Sequence, residues 1–315
     1  MSELDMRKAN MDLQKALNEN TNTQGGFLVP EVWGTRLYEL IVAKSTAIQF
    51  CEQVTMTSDT LFYPKVTAAS TAFFVLEAGT ITESQPTFAQ ISLIPKKVAA
   101  ITRMSSEVME DSNPSVMEAV MERLATDIAL KVDSEIYNGT TTTGGYLGWR
   151  GSTTVSSVDV AGAFLSTDNI SDAIEKLQVE NIEPTDLVIN PKVLNELRKL
   201  KTTTAAGNNE PLLNLTTFGS TPLGNGVVGK IWGVNVVLTT QLSTFASTTT
   251  ATHVLTDGVL LARRLCGIFA RRREIQMNRF YVIENDDWKV QANLRAAFSI
   301  NYEKSVCILK NIRVD

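Results

Sequence analysis

Apolar residues recur at steps of three and four over one long stretch: Met117, Val120, Met121, Leu124, Ile128, Val132 and Ile136. That period predicts an amphipathic helix. Asn113 suits its N-cap and Pro114 its first position, where a missing N–H costs nothing. Asn138-Gly139 predicts a left-handed stop. Placed over 114–137, the helix is a rod of roughly 36 Å at about 1.5 Å per residue.

The stretch before it, Val54 to Ser105, is β in character. Leu61–Val66, Phe73–Leu76 and Ile91–Ile94 read as strand, while Glu77 to Gln90 is punctuated by Thr, Ser, Gly and Pro. Two arms around such a tip predict an extended hairpin. An isolated hairpin is marginal in water, so a projecting one calls for a partner to cover it.

Beyond Thr140–Asp159, a loop region around Trp149, the pattern turns to α/β. Ile170, Ala173, Ile174 and Leu177 mark a helix, and Asp186–Ile189 a short buried strand. Asn190-Pro191 caps a second helix with Val193, Leu194, Leu197 and Leu200 on one face. Lys230–Leu238 reads as one strand, and His253–Asp257 as a strand leading into a turn. Strands follow at Phe280–Glu284, Val290–Ile300 and Val306–Leu309. At the start, Met6, Leu13, Ala16 and Leu17 could share a helix face, but Asn18–Gly26 is polar. An arm that orders on a neighbour and a disordered tail both fit. Val32, Leu37, Leu40, Ile41 and Ile48 are partly helical in spacing. No internal repeat is present.

Composition narrows the chemistry. The 315 residues are 43% hydrophobic and 20% charged, with a net charge of −5. A dedicated nucleic-acid binder would carry a basic surplus. Cys51, Cys266 and Cys307 are far apart and read as buried reduced thiols. His253 is the one histidine, and a lone ligand makes no metal site. No cofactor motif occurs: Gly144-Gly145 and Gly224-Asn-Gly226 are turn glycines. Glu107, Glu110 and Asp111 precede the long helix, where carboxylates favour its dipole, and no His or Lys cluster supports a catalytic pair. Met1–Asn20 is not a signal peptide in pattern, and no apolar run approaches the roughly 20 residues that cross a bilayer. A protein made and kept in a cytoplasm is expected. The basic run Arg263, Arg264, Arg271, Arg272, Arg273 and Arg279 has three readings: phosphate contacts, ion pairs with adjacent subunits, or a solvated face balanced by Glu274 and Glu284.

In order, these features resemble the major capsid protein of tailed bacteriophages, the Hong Kong 97-type shell fold. Gly25-Gly-Phe-Leu-Val-Pro30 resembles the family's entry from the N-terminal arm, and the hairpin its E-loop. Met104–Asp111 and Tyr137-Asn-Gly139 resemble the start and end of its spine helix. Leu187–Pro191, Leu197–Lys201 and Trp232–Val237 resemble parts of its A-domain. The resemblance implies an α+β fold: an N-terminal arm at 1–30; a P-domain from 31–55 and 101–163, holding the spine helix; an E-loop at 56–100; an A-domain at 164–261; and a P-domain return at 262–315. It implies a subunit without enzymatic activity or cofactor, which self-assembles as hexamers and pentamers around double-stranded DNA. Glu77, Thr80, Glu83 and Gln85 are then tip residues facing a neighbour.

Two departures stand out. Some members crosslink an E-loop lysine to a P-domain asparagine, but no lysine lies between Lys65 and Lys96. Asn285 and Asn293 are then ordinary asparagines and no crosslinking is expected. Only about 25 residues precede Phe27, so scaffolding is expected to be a separate protein or unnecessary, with portal and decoration proteins also separate. An encapsulin-like nanocompartment shares the fold but holds protein cargo. A soluble α/β hydrolase using Ser105 or Ser106 is the reading from another class, and no histidine stands near either serine.

Overall fold

The computed structural model describes residues 45–68, 70–81, 83–111, 115–140, 144–201, 227–246 and 253–314. The expected arm at 1–30, the spacing through residue 44, the Asn113-Pro114 cap and the turn at 224–226 lie outside them. In chain order, α1 (Thr46–Phe50) and β1 (Glu52–Thr55) precede β2 (Leu61–Ala68) and β3 (Thr87–Leu93). Next come β4 (Lys96–Ser105), α2 (Ser106–Asp111), α3 (Ser115–Asn138) and β5 (Ser156–Asp159). Then follow α4 (Thr167–Gln178), β6 (Asp186–Ile189), α5 (Pro191–Lys199), β7 (Val227–Ile231), β8 (Val234–Leu238) and β9 (Thr244–Ala246). The described chain ends with β10 (Val254–Leu261), β11 (Ile268–Val282), β12 (Asp287–Ser299) and β13 (Val306–Val314).

A four-stranded sheet, ordered β1-β11-β12-β4, lies under the long helix α3. The apolar period of α3 becomes a buried stripe of Leu124, Ile128, Val132 and Ile136. It shares one core with Val290, Ala292, Leu294, Ala296 and Phe298 of β12, which alternate along that strand and so point to one face. The end of α3 departs from expectation, because Gly139 is not left-handed. Instead the chain folds back on the helix. Gly148 N donates to Gly139 O and Trp149 N to Ile136 O, each at 2.9 Å, and Arg150 N to Tyr137 O at 3.1 Å. These bonds satisfy carbonyls that a helix end leaves open. A Cβ on Gly139 would stand 2.4 Å from the carbonyl oxygens of Glu135 and Tyr146. Close approach, not handedness, requires glycine there.

A seven-stranded sheet runs β5-β13-β10-β6-β8-β7, with β9 also on β10. All four residues of β6 are buried. Helix α4 starts at a capping box between Ser166 and Asn169. In α5, Asn190 accepts from Lys192 N with Pro191 at the first position, the cap read from the sequence. Both helices add to the second core: Ile170, Ala173 and Leu177 from α4, and Val193, Leu194 and Leu197 from α5.

Three local expectations change. Lys230–Leu238 is not one strand but the hairpin β7–β8, turned by Trp232 (φ 47°) and Gly233 (φ 84°). Two successive positive φ values match the twist of a tight hairpin, and Trp232 disguises the turn because aromatics favour strands. Strand β10 continues through Asp257 to Leu261, with a register shift between Thr256 and Gly258 where a turn was expected. Phe73–Leu76 forms no strand. Strand β13, from the segment expected to return to the P-domain, sits between β5 and β10 in the seven-stranded sheet.

Candidate assembly surfaces

The hairpin β2–β3 has a buried root and an exposed tip. At the root, Leu93 and Met56 pack with Ile268, Ala270 and Ala297 of the four-stranded sheet. Lys65 is ion-paired with Glu303, and Tyr63 Oη donates to Glu52 Oε2 at 3.1 Å. Beyond the paired strands, Thr71 N donates to Ser84 Oγ at 2.9 Å and ties the two arms together. Gly79 N donates to Leu76 O at 2.8 Å, closing a turn in which Ala78 has φ 61°. Around this turn Phe74 is fully exposed, Leu76 is 88% exposed and Ile81 78%, with Phe73 half exposed. Covering an aromatic or aliphatic side chain of this size stabilises by about 1.5–3 kcal/mol. Glu77, Thr80, Glu83 and Gln85 stand exposed among them, and Gln85 Nε2 donates to Glu83 Oε1 at 3.3 Å. No Lys or Arg lies between Lys65 and Lys96, so the tip is apolar and acidic.

The second surface is the face of the four-stranded sheet turned away from α3. Register places Arg273 of β11 opposite Arg295 of β12, and Arg295 opposite Lys97 of β4. Further along the same face, Phe280, Lys289 and Arg103 form another row. Gln276, Asn278, Gln291 and Asn293 fill the rows between, beside Ile101 at 62% exposed. The acid at these positions is Asp287, 3.4 Å from Arg103 Nε. Like charges directly opposite across a ladder repel, so the face suits an anionic partner. Sequence reading missed Lys97, Arg103, Lys289 and Arg295. Only the alternation Lys97, Ala99, Ile101, Arg103 hinted at it.

The six arginines expected to act together do not form one cluster. Arg263 and Arg264 lie in the turn after β10, and the other four along β11. Arg263 Nε and Nη2 donate to the two oxygens of fully buried Asp186 at 2.5 and 2.6 Å. Hydrogen bonding to that carboxylate pushes the Arg263 pKa up, against the opposing effect of burial. Asn235 and Thr185 complete the carboxylate's partners. Arg272 donates to the carbonyls of Met56 and Thr57 and lies 3.6 Å from Asp59. These two arginines therefore hold the subunit together, with Asp186 and Asp59 as partners. Arg264 (φ 64°) and Arg279 are exposed, and Arg271 is half-buried. Arg273 alone of the six joins the rows of the open face.

Ser105 Oγ accepts from Val108 N at 3.4 Å, capping α2. Among the described residues no group of three or more His, Cys, Asp and Glu side chains could hold a metal ion.

The sequence profile of the phage capsid family matches residues 25–311. The chain belongs to the phage capsid family. Solved structures carry the same fold. The capsid of an empty GTA particle superposes with a TM-score of 0.72 at 15% identity, over 94% of this chain and 100% of that one. A chain of Microbacterium phage Oxtober96 gives 0.68 at 13% identity over 92% and 98%, and one of Mycobacterium phage Adephagia 0.67 at 14% over 92% and 97%. No curated protein sequence matches. The fold is the Hong Kong 97-type capsid fold, and family and fold together mark the chain as a major capsid protein that forms a shell.

Proposed function

We propose that this chain is the major subunit of an icosahedral shell, assembled as hexamers and pentamers around double-stranded DNA, and that it is not an enzyme. The observation that carries the reading is the E-loop tip, where Phe74, Leu76 and Ile81 stand in water on a hairpin whose root is buried. A monomer gains nothing from such a display. Glu77 and Glu83 of that tip complement the rows Arg273–Arg295–Lys97 and Lys289–Arg103 on a neighbour's open face, with Thr80 and Gln85 meeting its amides. Interfaces of permanent assemblies commonly bury more than about 2,000 Å².

In this reading the seven-stranded sheet belongs to the axial A-domain and the α3 sheet to the peripheral P-domain, with β5 and β13 carrying the chain between them. Contact with packaged DNA is weak and non-specific, involving exposed arginines such as Arg264 and Arg279. Scaffolding, portal and decoration functions belong to separate proteins, and the shell assembles in the host cytoplasm before residing in the virion. Without a lysine between Lys65 and Lys96, the contact stays non-covalent.

Light scattering with negative-stain imaging, repeated after nuclease treatment and opening of the particles, tests this. Closed particles or capsomer rings support the shell, and nuclease-protected DNA supports the virus. Protein cargo in place of DNA would replace it with a nanocompartment. A stable monomer or dimer at high concentration, with scaffold added, would overturn it.

A further inference from the structure

We infer that Cys51 and Cys266 form a disulfide site, made as a dithiol inside each subunit and closed by a low-molecular-weight disulfide such as oxidised glutathione. The two residues flank the point where β1 meets β11. Arg264 N donates to Phe50 O at 2.7 Å and Glu52 N to Gly267 O at 2.9 Å, with Glu52 opposite Ile268 in a parallel ladder. The ladder itself stops short of the cysteines, but Phe50 O, the carbonyl bonded to Cys51 N, lies within 3.4 Å of Cys266 Sγ, so the Cys266 thiol sits against the Cys51 backbone. A disulfide needs Cα atoms about 4.4–6.8 Å apart. Both side chains are buried in one core, and the neighbouring Cys266 thiol acts on that of Cys51. Cys51 Sγ also reaches Ala47 O at 3.3 Å, and Cys266 Sγ reaches Phe50 O at 3.4 Å.

The exchange balances without further reactants. One thiol gives up its proton, and its sulfur attacks a sulfur of the oxidant, forming a mixed disulfide and expelling one glutathione thiolate. The second cysteine, deprotonated in turn, attacks the protein sulfur of that mixed disulfide and expels the other. The two thiolates take up the two protons, and two electrons pass from the cysteine pair to glutathione. While the subunit is closed, neither thiol reacts: Cys51 is 5% exposed and Cys266 0%. Burial pushes the Cys51 thiol up, and its neighbour Cys266 pushes it further. Reaction waits for α1, only five residues long, to open, so closure takes hours rather than seconds. The bond then staples the approach to the E-loop onto the turn between the two sheets. Cys307 lies in the other core and stays a thiol.

The test uses the full chain and does not depend on whether a shell forms. Purified protein is held with oxidised glutathione, denatured, alkylated and weighed by mass spectrometry. Of the three cysteines, one is expected to alkylate after oxidation and all three after reduction. Cys307→Ser should leave none to alkylate once oxidised, while Cys51→Ser and Cys266→Ser should form no internal bridge. The oxidised wild type should melt several degrees above its reduced form, a shift absent from Cys51→Ser. Three alkylatable thiols persisting through long exposure just below the melting temperature, or a bridge that includes Cys307, would overturn the assignment.

Discussion

Along β12, Val290, Ala292, Leu294, Ala296 and Phe298 turn toward α3 and are no more than 8% exposed. Lys289, Gln291 and Arg295 turn the other way and keep contact with solvent. The same backbone thus builds a face finished within the subunit and a face left open. Helix α3 covers the first with its own apolar stripe. On the second, the end near Ala297 is covered by the root of the E-loop hairpin and Asn293 is 8% exposed, while the positions of Lys289, Gln291 and Arg295 stay open. Hydrophobic burial closes the subunit, and the open face, with cations and amides at most of its exposed positions, waits for a second molecule.

Removing part of the covered face should have the largest effect. Ile136 is fully buried, and Ile136→Ala should lower subunit stability by about 2–5 kcal/mol, read by denaturant unfolding of unassembled protein. A loss below about 1 kcal/mol would mean the helix seam relaxes and the two faces differ less than they appear. Next is the E-loop tip. Phe74→Ser combined with Leu76→Ser should leave the melting of the free subunit unchanged, since neither side chain is covered there. Assembly should suffer: at about 1.5–3 kcal/mol for each burial lost, the concentration needed to form particles rises more than about tenfold. Equal losses in both measurements would show that the tip packs within its own subunit.

Helix α3 and the root of the E-loop were legible in the sequence because period and turn residues are local signals. The open face was not. Its rows bring together residues from three strands, and Lys97 and Arg295 meet only through register. The arginine run misled for the same reason. Adjacent arginines suggest a shared role, yet Arg263 answers to Asp186, a buried acid in another strand. Trp232 hid a turn because its side chain favours strand while its φ of 47° does not. Nor does spacing along the chain hint that Cys51 and Cys266 are neighbours.

One charge lies under the covered side. Asp133 of α3 is 2% exposed and accepts from Ser45 Oγ and from Thr46 N, the latter at 2.7 Å. Burial pushes its pKa up to about 6, against the lowering effect of those hydrogen bonds. A carboxyl whose folded pKa is raised binds its proton more tightly when folded. Its contribution therefore grows as pH falls through about 6 and is absent well above that. Between pH 7 and pH 5 this group should add on the order of 1 kcal/mol of stability. Asp133→Asn should flatten that part of the stability–pH curve, and an unchanged slope would assign it to other groups.

The smallest effect sharpens the comparison most, because its sign should differ between the free and assembled protein. Arg295 stands between Arg273 and Lys97 on adjacent strands, and among the described side chains no acid intervenes in that row. In the free subunit Arg295→Gln removes repulsion and should stabilise by a few tenths of a kcal/mol at low salt. The gain should vanish near 1 M salt, where the screening length is only about 3 Å. On the proposed pairing with Glu77 or Glu83 of a neighbour, the same change in the shell should weaken assembly, again only at low salt. A residue that packs within its own subunit would lose stability in both states and at every ionic strength. A sign reversal between melting and assembly therefore marks Arg295 as belonging to the unfinished face, and a uniform loss would assign it to the finished one.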